Sequence, residues 1–209
     1  MLYCYLITRA GPEIEKHWDR TAGGAALRWL RCQELAAAVR ELPAGTRFTP
    51  QLLLEWNAAL SAAAQLASVL PMRLGASFRD EQAVLQLMAG RRQEMLAALE
   101  RLDGKAEMIL RAGLPSQAGA EDTAARINGL CRPLESWSQI KSCPGGETVL
   151  ELAHLIPRTE AAGYRQRLQS QAVEITGPWP PFHFLPQFLR LPVKAARSSV
   201  RRASRAAAG

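Results

Sequence analysis

The segment at residues 175–184, which reads ITGPWPPFHF, constrains the fold more than any other stretch of the chain. Proline fixes φ and lacks a backbone N–H. The three prolines therefore predict that the segment neither continues a sheet ladder nor begins a helix interior. We expect a stiff, extended segment that carries Trp179, Phe182 and Phe184 to defined positions.

Two roles are open for these three aromatic side chains. Rings laid back across a sheet would close a domain boundary, and each fully buried ring would stabilise it by about 1.5–3 kcal/mol. A ring on a stiff surface segment would instead anchor a partner, because little entropy is lost on binding. We expect Trp179 to be buried and the end from Phe182 to Phe184 to lie closer to the surface.

The composition is that of a globular protein. Of 209 residues, 48% are hydrophobic and 22% are charged, which is enough apolar material for one or two domains. No apolar run reaches the length of a membrane span. The N-terminal sequence MLYCYLITR has neither a basic leader nor a cleavage site of small residues, so we expect a cytoplasmic protein.

Positive charge is concentrated at the C-terminus. Residues 186–209 include six basic and no acidic residues, whereas residues 1–185 include 20 basic and 19 acidic residues. The end of the chain has few large apolar side chains, so we expect a disordered basic tail. It could touch nucleic acid, but it lacks interleaved aromatic residues. A solvated tail without a specific nucleic-acid partner is the better interpretation.

The sequence has no recognisable catalytic or metal-binding motif. It contains no phosphate-binding glycine loop, and Arg79 stands where a nucleophile elbow would have its second glycine. The four cysteines have neither CxxC spacing nor neighbouring histidines, so we expect reduced thiols. His154 lies in an apolar strand and is expected to be a hydrogen-bonded core side chain rather than a base. We expect no enzyme, no cofactor and no metal.

Residue patterns predict strands and helices in both halves of the chain. In the first half, Thr49-Pro50 begins one helix, and a second runs from Asp80 to the stop at Asp103-Gly104. Strands are expected at 2–8, 26–31, 70–75 and 105–111, whereas 35–42 could be a strand or a short helix, which its alanines favour. The second half predicts a helix at 121–135, a helix capped by Thr159, and strands at 137–142, 148–156 and 172–176.

These elements predict an α+β fold of two sandwich domains in one chain. Residues 113–120 contain glycine, proline and serine without periodicity and are the expected linker. We expect an N-terminal domain at 1–112, a smaller C-terminal domain at 121–188 and the basic tail at 189–209.

Arg73, Arg79, Asp80 and Glu81 surround a glycine-containing turn between a strand and a helix. The two acidic residues favour a helix N-terminus by their charge. Together with the arginines they could form a buried ion pair that locks the turn, or a charged patch that faces a partner. The structural role is the more common one, but the sequence leaves both open.

Two stretches resemble the signature segments of the gas vesicle protein family GvpL/GvpF. Residues 69–84, VLPMRLGASFRDEQAV, resemble the family's VLPLRFGTVFRDEEAV. Residues 152–158, LAHLIPR, and 174–182, EITGPWPPF, resemble its YLVPR strand and closing LTGPWPPYSF. Residues 3–8 and 102–107 also match, in the same order.

The resemblance implies two α/β sandwich domains related to ferredoxin-like folds, and an accessory role in gas vesicle formation without catalysis. It further implies binding to the hydrophobic shell protein and to other accessory proteins, with localisation in the cytoplasm and at the gas vesicle. Candidate structural or partner-binding residues are Arg73, Arg79, Asp80, Glu81, Trp179, Phe182 and Phe184.

This chain departs from the family pattern in its shorter linker, in its basic tail, and in Phe182-His183-Phe184, which replaces Tyr-Ser-Phe. The alternative function is a ferredoxin-like ligand-sensing regulatory module, which would need a pocket with convergent polar groups.

Overall fold

The structure is a computed structural model that describes residues 1–12, 14, 27–43, 45–142 and 147–190. Its first half builds an antiparallel sheet with strand order β2-β3-β1-β4, and β5 also pairs with β1. The strands are β1 Leu2–Arg9, β2 Arg28–Cys32, β3 Leu35–Glu41, β4 Val69–Pro71 and β5 Ser77–Phe78. Residues 2–8 of β1 are all buried because helices cover both faces of this sheet.

Helix α1 (Pro50–Leu66) covers one face of the first sheet. It begins as predicted, since Thr49 Oγ1 accepts a hydrogen bond from the Leu52 N–H at 3.2 Å and Pro50 occupies the first turn. Trp56 stacks on Tyr5 with ring centroids 3.8 Å apart, and Leu60 packs in the same core. Trp56, Leu60 and Ala63 recur at helical spacing, so this apolar side of α1 faces the sheet.

The opposite face is covered by α2 (Glu81–Gly90) and α3 (Arg92–Arg101), where the sequence predicted one continuous helix. The helix is interrupted at Arg91, directly after Gly90, a residue that weakens helices by about 1 kcal/mol relative to alanine. Both halves still contribute to one apolar stripe, which includes Val84, Met88, Met95 and Leu99.

The second half builds a four-stranded antiparallel sheet with the order β7-β8-β6-β9. Its strands are β6 Lys105–Leu114, β7 Glu135–Ser142, β8 Thr148–Pro157 and β9 Val173–Trp179. Helices α4 (Ala120–Cys131) and α5 (Ala161–Arg167) cover one face, and a short α6 (Gln187–Arg190) follows β9. The predicted α+β fold of two sandwich layers is confirmed.

The two sheets share a core. Ala153 and Leu155 of β8, together with Phe184 and Leu189, lie in the same hydrophobic cluster as the inner residues of α2 and α3. Arg158 adds polar contacts, because its guanidinium donates to the Ala64 carbonyl near the end of α1 and, at 3.4 Å, to the Lys105 carbonyl. Burial lowers the pKa of this guanidinium.

Sheet membership changes between α3 and β6, earlier than the expected linker at 113–120. Lys105–Leu114 pairs with β8 along its whole length and with β9 along part of it. An apolar strand that follows a helix has no local signal for which sheet it joins. The division into domains at 1–112 and 121–188 remains a prediction, and the tail from residue 191 onward lies outside the described residues.

Two local predictions are wrong. Thr159 does not cap a helix: it lies in the 3-10 turn Arg158–Glu160, and α5 begins at Ala161 without a side-chain cap. The proline segment does continue the sheet, because β9 runs through Pro178 to Trp179. A register shift between Glu107 and Ile109 and the position at the sheet edge accommodate the missing N–H. Among the described residues, no helix has the length and apolarity to cross a membrane.

Candidate functional site

Residues 180–186, here called the strap, connect β9 to α6 and lie across the junction of the two sheets. The strap begins after a close approach of β9 to β6 at Gly177, which has a φ of +115°. A Cβ at this position would lie 2.6 Å from the Glu107 carbonyl oxygen. Glycine is therefore required there both by its backbone conformation and by the space available.

The three aromatic residues of this segment have different environments. Phe184 is 6% exposed and packs in the core shared by the two sheets, whereas Phe182 is half-buried against the α1 side of the first sheet. Trp179 is 36% exposed, and its indole N–H donates to Thr176 Oγ1 at 3.2 Å. The expectation that Trp179 is buried and Phe184 nearer the surface is wrong, because Trp179 ends an edge strand while the strap turns inward after it.

A buried carboxylate holds the strap. Glu107 of β6 is fully buried, and its two oxygens accept hydrogen bonds from the His183 backbone N–H and from His183 Nδ1, each at 2.8 Å. A buried carboxylate is costly unless such bonds compensate its lost hydration. Arg101 of α3 donates to the Phe184 carbonyl, so the strap is bonded on both sides.

A groove of about 440 Å³ lies beside the strap. Its floor includes Trp137 of β7 and His183, whose ring centroids are 4.3 Å apart. Arg73, from the turn after β4, and Arg190 of α6 line the same groove. Elements from both sheets thus build this groove.

A ladder of alternating charges crosses all four strands, and two of its members, Lys141 and Glu151, line the groove. Lys141 of β7 donates to Glu151 of β8 at 2.6 Å, Arg111 of β6 reaches Glu151 at 3.2 Å, and Arg111 lies 4.0 Å from Glu174 of β9. Burial by itself would raise the pKa of Glu151, but the hydrogen bonds from Lys141 and Arg111 outweigh it and lower the pKa. The two cations and two carboxylates balance each other, so this part of the sheet face opposite α4 and α5 is close to neutral.

The arginine turn, residues 72–81, carries exposed ion pairs. Asp80 caps α2 as predicted, since its Oδ1 accepts the Ala83 N–H at 2.8 Å. That bond, followed by the one from Arg79 Nε at 2.8 Å, lowers the pKa of Asp80. Arg79 is 84% exposed, and Glu81 pairs with the exposed Arg28. The interpretation as a buried ion pair is therefore wrong for these residues.

The four predicted residues of the turn are divided between two surfaces. Arg79, Asp80 and Glu81 line a second groove of about 510 Å³, together with Met1 and Glu41. Arg73 faces the groove beside the strap and has no ion-pair partner among the residues that the structure describes. Residues that lie close together in the sequence thus contribute to different sites.

Sequence reasoning missed Glu107, Trp137 and Arg190 as parts of the site and named His183 only as part of Phe182-His183-Phe184. The one available signal was Glu107 itself, an acid in an otherwise apolar position of a strand. Its partner His183 is 76 residues away, a distance at which no local pattern applies.

His154 is a buried, hydrogen-bonded core side chain, as predicted. Its Nδ1 lies 2.8 Å from the Tyr164 hydroxyl, while its buried Nε2 has no hydrogen-bond partner in the described part of the chain. Burial lowers the pKa of His154 to about 4 and raises that of Tyr164 well above its usual range. No group of three or more His, Cys, Asp or Glu side chains within the described ranges is placed to hold a metal ion.

The two joined sheets, the strap and the grooves define an α+β scaffold. A sequence model of the family described as gas vesicle synthesis protein GvpL/GvpF matches residues 1–129 and 115–186. Because this match extends over most of the chain, the chain belongs to the GvpL/GvpF family.

Relatives support the same assignment. Gas vesicle protein L of Streptomyces sp. (strain CB03234) is 24% identical over an alignment 244 positions long, which covers 87% of this chain and 91% of the relative. The crystal structures of gas vesicle protein GvpF from Anabaena sp. PCC7120 and from Microcystis aeruginosa each superpose with a TM-score of 0.63, at 15% and 12% identity. Each superposition covers 88% of this chain, together with 94% of the Anabaena chain and 98% of the Microcystis chain. The three proteins therefore share a fold.

Proposed function

We propose that this chain acts in gas vesicle assembly by binding the hydrophobic shell protein noncovalently until it joins a growing vesicle. Membership in the gas vesicle synthesis family carries this proposal. Family membership supports the assembly role itself, and binding of the shell protein is the finer step that we add. A very apolar subunit needs a transient partner before it polymerises, because exposed apolar surface drives aggregation.

The outer face of α1 is the surface that best fits an apolar partner. Its 17 residues include a single charged side chain, Glu55. Leu53, Leu54 and Leu66 are all exposed, and Leu54 reaches 64% exposure. Surface helices of globular proteins usually carry charged residues on the side away from the core. An outer face with leucines and almost no charge is therefore suited to an apolar partner.

Trp179 provides a second exposed apolar group. It ends β9, an edge strand of the second sheet, and its ring is held by the bond to Thr176. We assign a partner contact to Trp179 and a structural role to Phe182 and Phe184, whose rings pack into the two cores. For Asp80, the cap on α2 supports a structural role, whereas Arg79 and Glu81 form exposed ion pairs that contribute little to stability.

A pull-down of shell protein by the purified, tagged full-length chain tests the proposal. We expect the wild-type chain to retain the shell protein and Leu54→Glu to retain severalfold less, because the new charge must be desolvated against an apolar partner. Gln86→Glu is the matched control, since it adds the same charge at an exposed position of α2, on the other side of the first sheet.

Two outcomes would contradict the proposal. One is a wild-type chain that retains no shell protein, combined with normal vesicles in a strain that lacks the gene. The other is equal retention of shell protein by the Leu54→Glu, Gln86→Glu and Trp179→Ala variants. That result would exclude both the outer face of α1 and Trp179 as binding surfaces.

A further inference from the structure

The groove beside the strap brings together cations from three separate elements. Lys141 is neutralised by Glu151, but Arg73 has no ion pair within the described residues. Arg190 donates only one bond, from Nη1 to the His183 carbonyl at 3.3 Å, and its shielded Nε has no hydrogen-bond partner in the described part of the chain. A guanidinium offers five N–H donors in a fork that matches a carboxylate. Two such forks with unused donors thus face one groove.

The floor of the groove is aromatic. Trp137 is half-buried and packs against the His183 ring at an interplanar angle of 33°, and His183 is itself held by Glu107. Tryptophan and arginine are the residue types that most often dominate binding energy at protein interfaces. Because the strap fixes His183, this floor is rigid before a ligand arrives, which reduces the entropy lost on binding.

The edge strand β7 lines one side of the groove, including Trp137 of its floor. Trp137, Gln139 and Lys141 are alternate residues of β7 and line the groove together. β7 pairs with β8 on one side, and its other edge pairs with no strand of the described residues. An extended peptide laid along this edge could add backbone hydrogen bonds, with every second side chain directed into the groove.

Charge selects the class of occupant. The chain's own segment 191–209 carries five basic residues and no acidic residue, so like charge opposes its return to Arg73 and Arg190. Glu151 also lines the groove, but Lys141 and Arg111 neutralise it, so the net positive charge of the lining comes from Arg73 and Arg190. This charge favours an anionic occupant, and the edge of β7 that pairs with no described strand favours an extended peptide over a nucleic acid, because only a peptide backbone can continue a sheet ladder.

We propose that the groove lined by Arg73, Trp137 and Arg190 binds an acidic, extended segment of a partner protein. Carboxylates of the segment pair with the two guanidiniums, and an aromatic or apolar side chain between them rests on the Trp137–His183 floor. This surface is separate from the outer face of α1, and it does not depend on binding of the shell protein.

Fluorescence anisotropy with the full-length chain tests the proposal. The probe is a fluorescein-labelled peptide with one phenylalanine flanked by two glutamates on each side, and its control has glutamines in place of the glutamates. We expect the glutamine peptide to bind at least about tenfold more weakly. Arg73→Gln and Arg190→Gln should each weaken binding of the acidic peptide about fivefold.

Arg132→Gln is the matched control. Arg132 is exposed at the end of α4, on the other face of the second sheet, and its substitution removes the same charge. We expect less than a twofold effect from it and from Leu54→Glu. A chain with Lys194, Arg197, Arg201, Arg202 and Arg205 all changed to glutamine should also keep its affinity within about twofold. Thermal melts verify that each variant is folded. Arg73 is exposed, so Arg73→Gln should fold and can test the groove even if Arg190→Gln unfolds.

Several results would overturn the proposal. Equal affinities of Arg73→Gln and Arg132→Gln would exclude the groove, and loss of binding in the tail variant would assign binding to the tail. Tighter binding of a 20-nucleotide oligothymidine that is weakened by Arg73→Gln would make the groove a nucleic-acid site. Self-association that Arg73→Gln abolishes would make a second copy of the chain the occupant.

Discussion

The strap and the arginine turn both lie in signature segments of the family, yet their polar groups act in opposite environments. His183 of the strap donates two bonds to Glu107 of β6, which is fully buried. In the turn, Arg79 and Asp80 form a pair that is largely exposed to solvent. Exposed ion pairs contribute little, whereas an unpaired buried carboxylate is strongly destabilising. The degree of burial, rather than the motif, therefore decides how much each polar residue contributes to the stability of the fold.

Glu107→Ala should have the largest effect. It leaves the two His183 donors without their acceptor and opens a cavity, so we expect a loss of about 3–4 kcal/mol in the free energy of unfolding. Urea unfolding monitored by circular dichroism measures it. Glu174→Ala, which removes an exposed carboxylate, should change stability by less than about 0.5 kcal/mol. Similar losses in the two variants would remove the distinction between buried and exposed carboxylates.

Gly177 lies just before the strap and Gly75 lies in the arginine turn, so substitutions of these glycines compare the two backbones. Gly177→Ala places a Cβ 2.6 Å from the Glu107 carbonyl oxygen at a φ of +115°, and we expect a loss of about 3 kcal/mol. Gly75→Ala, in the arginine turn, has a φ of +86° but only the Phe48 ring at 3.4 Å, so about 1 kcal/mol is expected. Urea midpoints rank the two, and a larger loss at Gly75 would show that the strap can shift to relieve the contact.

His154 extends the comparison to a buried side chain that is only partly satisfied, because its Nε2 has no hydrogen-bond partner among the described residues. Its folded pKa of about 4 lies below the value of 6.5 for an unperturbed histidine, so between these values the unfolded chain binds more protons. Stability should therefore be unaffected by this group above pH 6.5. It should fall as the pH decreases toward 4, by up to about 3 kcal/mol.

His154→Gln is the control for this pH dependence. It keeps a polar group near Tyr164 but cannot titrate, so it should be less stable at neutral pH and should lack this part of the acid-side decrease. Chemical unfolding at pH 7, 5.5 and 4.5 measures the difference. Parallel decreases in both chains would show that other groups account for the acid sensitivity.

The smallest effects are expected in the arginine turn. Asp80→Ala removes the cap on α2 and should lower Tm by about 2–4 °C, whereas Asp80→Asn should retain most of it, because asparagine caps equally well. Arg79→Ala should leave Tm unchanged within error. A larger effect of Arg79 than of Asp80 in calorimetry would mean that the ion pair, rather than the cap, holds the turn.

Local chemistry made part of this molecule predictable. Thr49-Pro50 and Asp80 identify the helix starts, because a cap depends on atoms within three residues. The strands β1 and β8 follow from apolar alternation and runs of β-forming residues, whereas the alanine-rich β3 could not be distinguished from a helix by its residues alone. The signature segments at 69–84 and 174–182 indicate the family by their residues alone. All of these signals are local in the chain.

The tertiary structure decided which face of each element is covered. No local rule could place β6 in the second sheet, bring His183 to Glu107, or separate Arg73 from Arg79. The same holds for the aromatic residues, where Phe184 is buried and Trp179 exposed although both belong to one proline-rich segment. Burial depends on contacts between residues far apart in the sequence. The sequence alone therefore determined the elements and the family, and packing determined which residues form the core and which line the grooves.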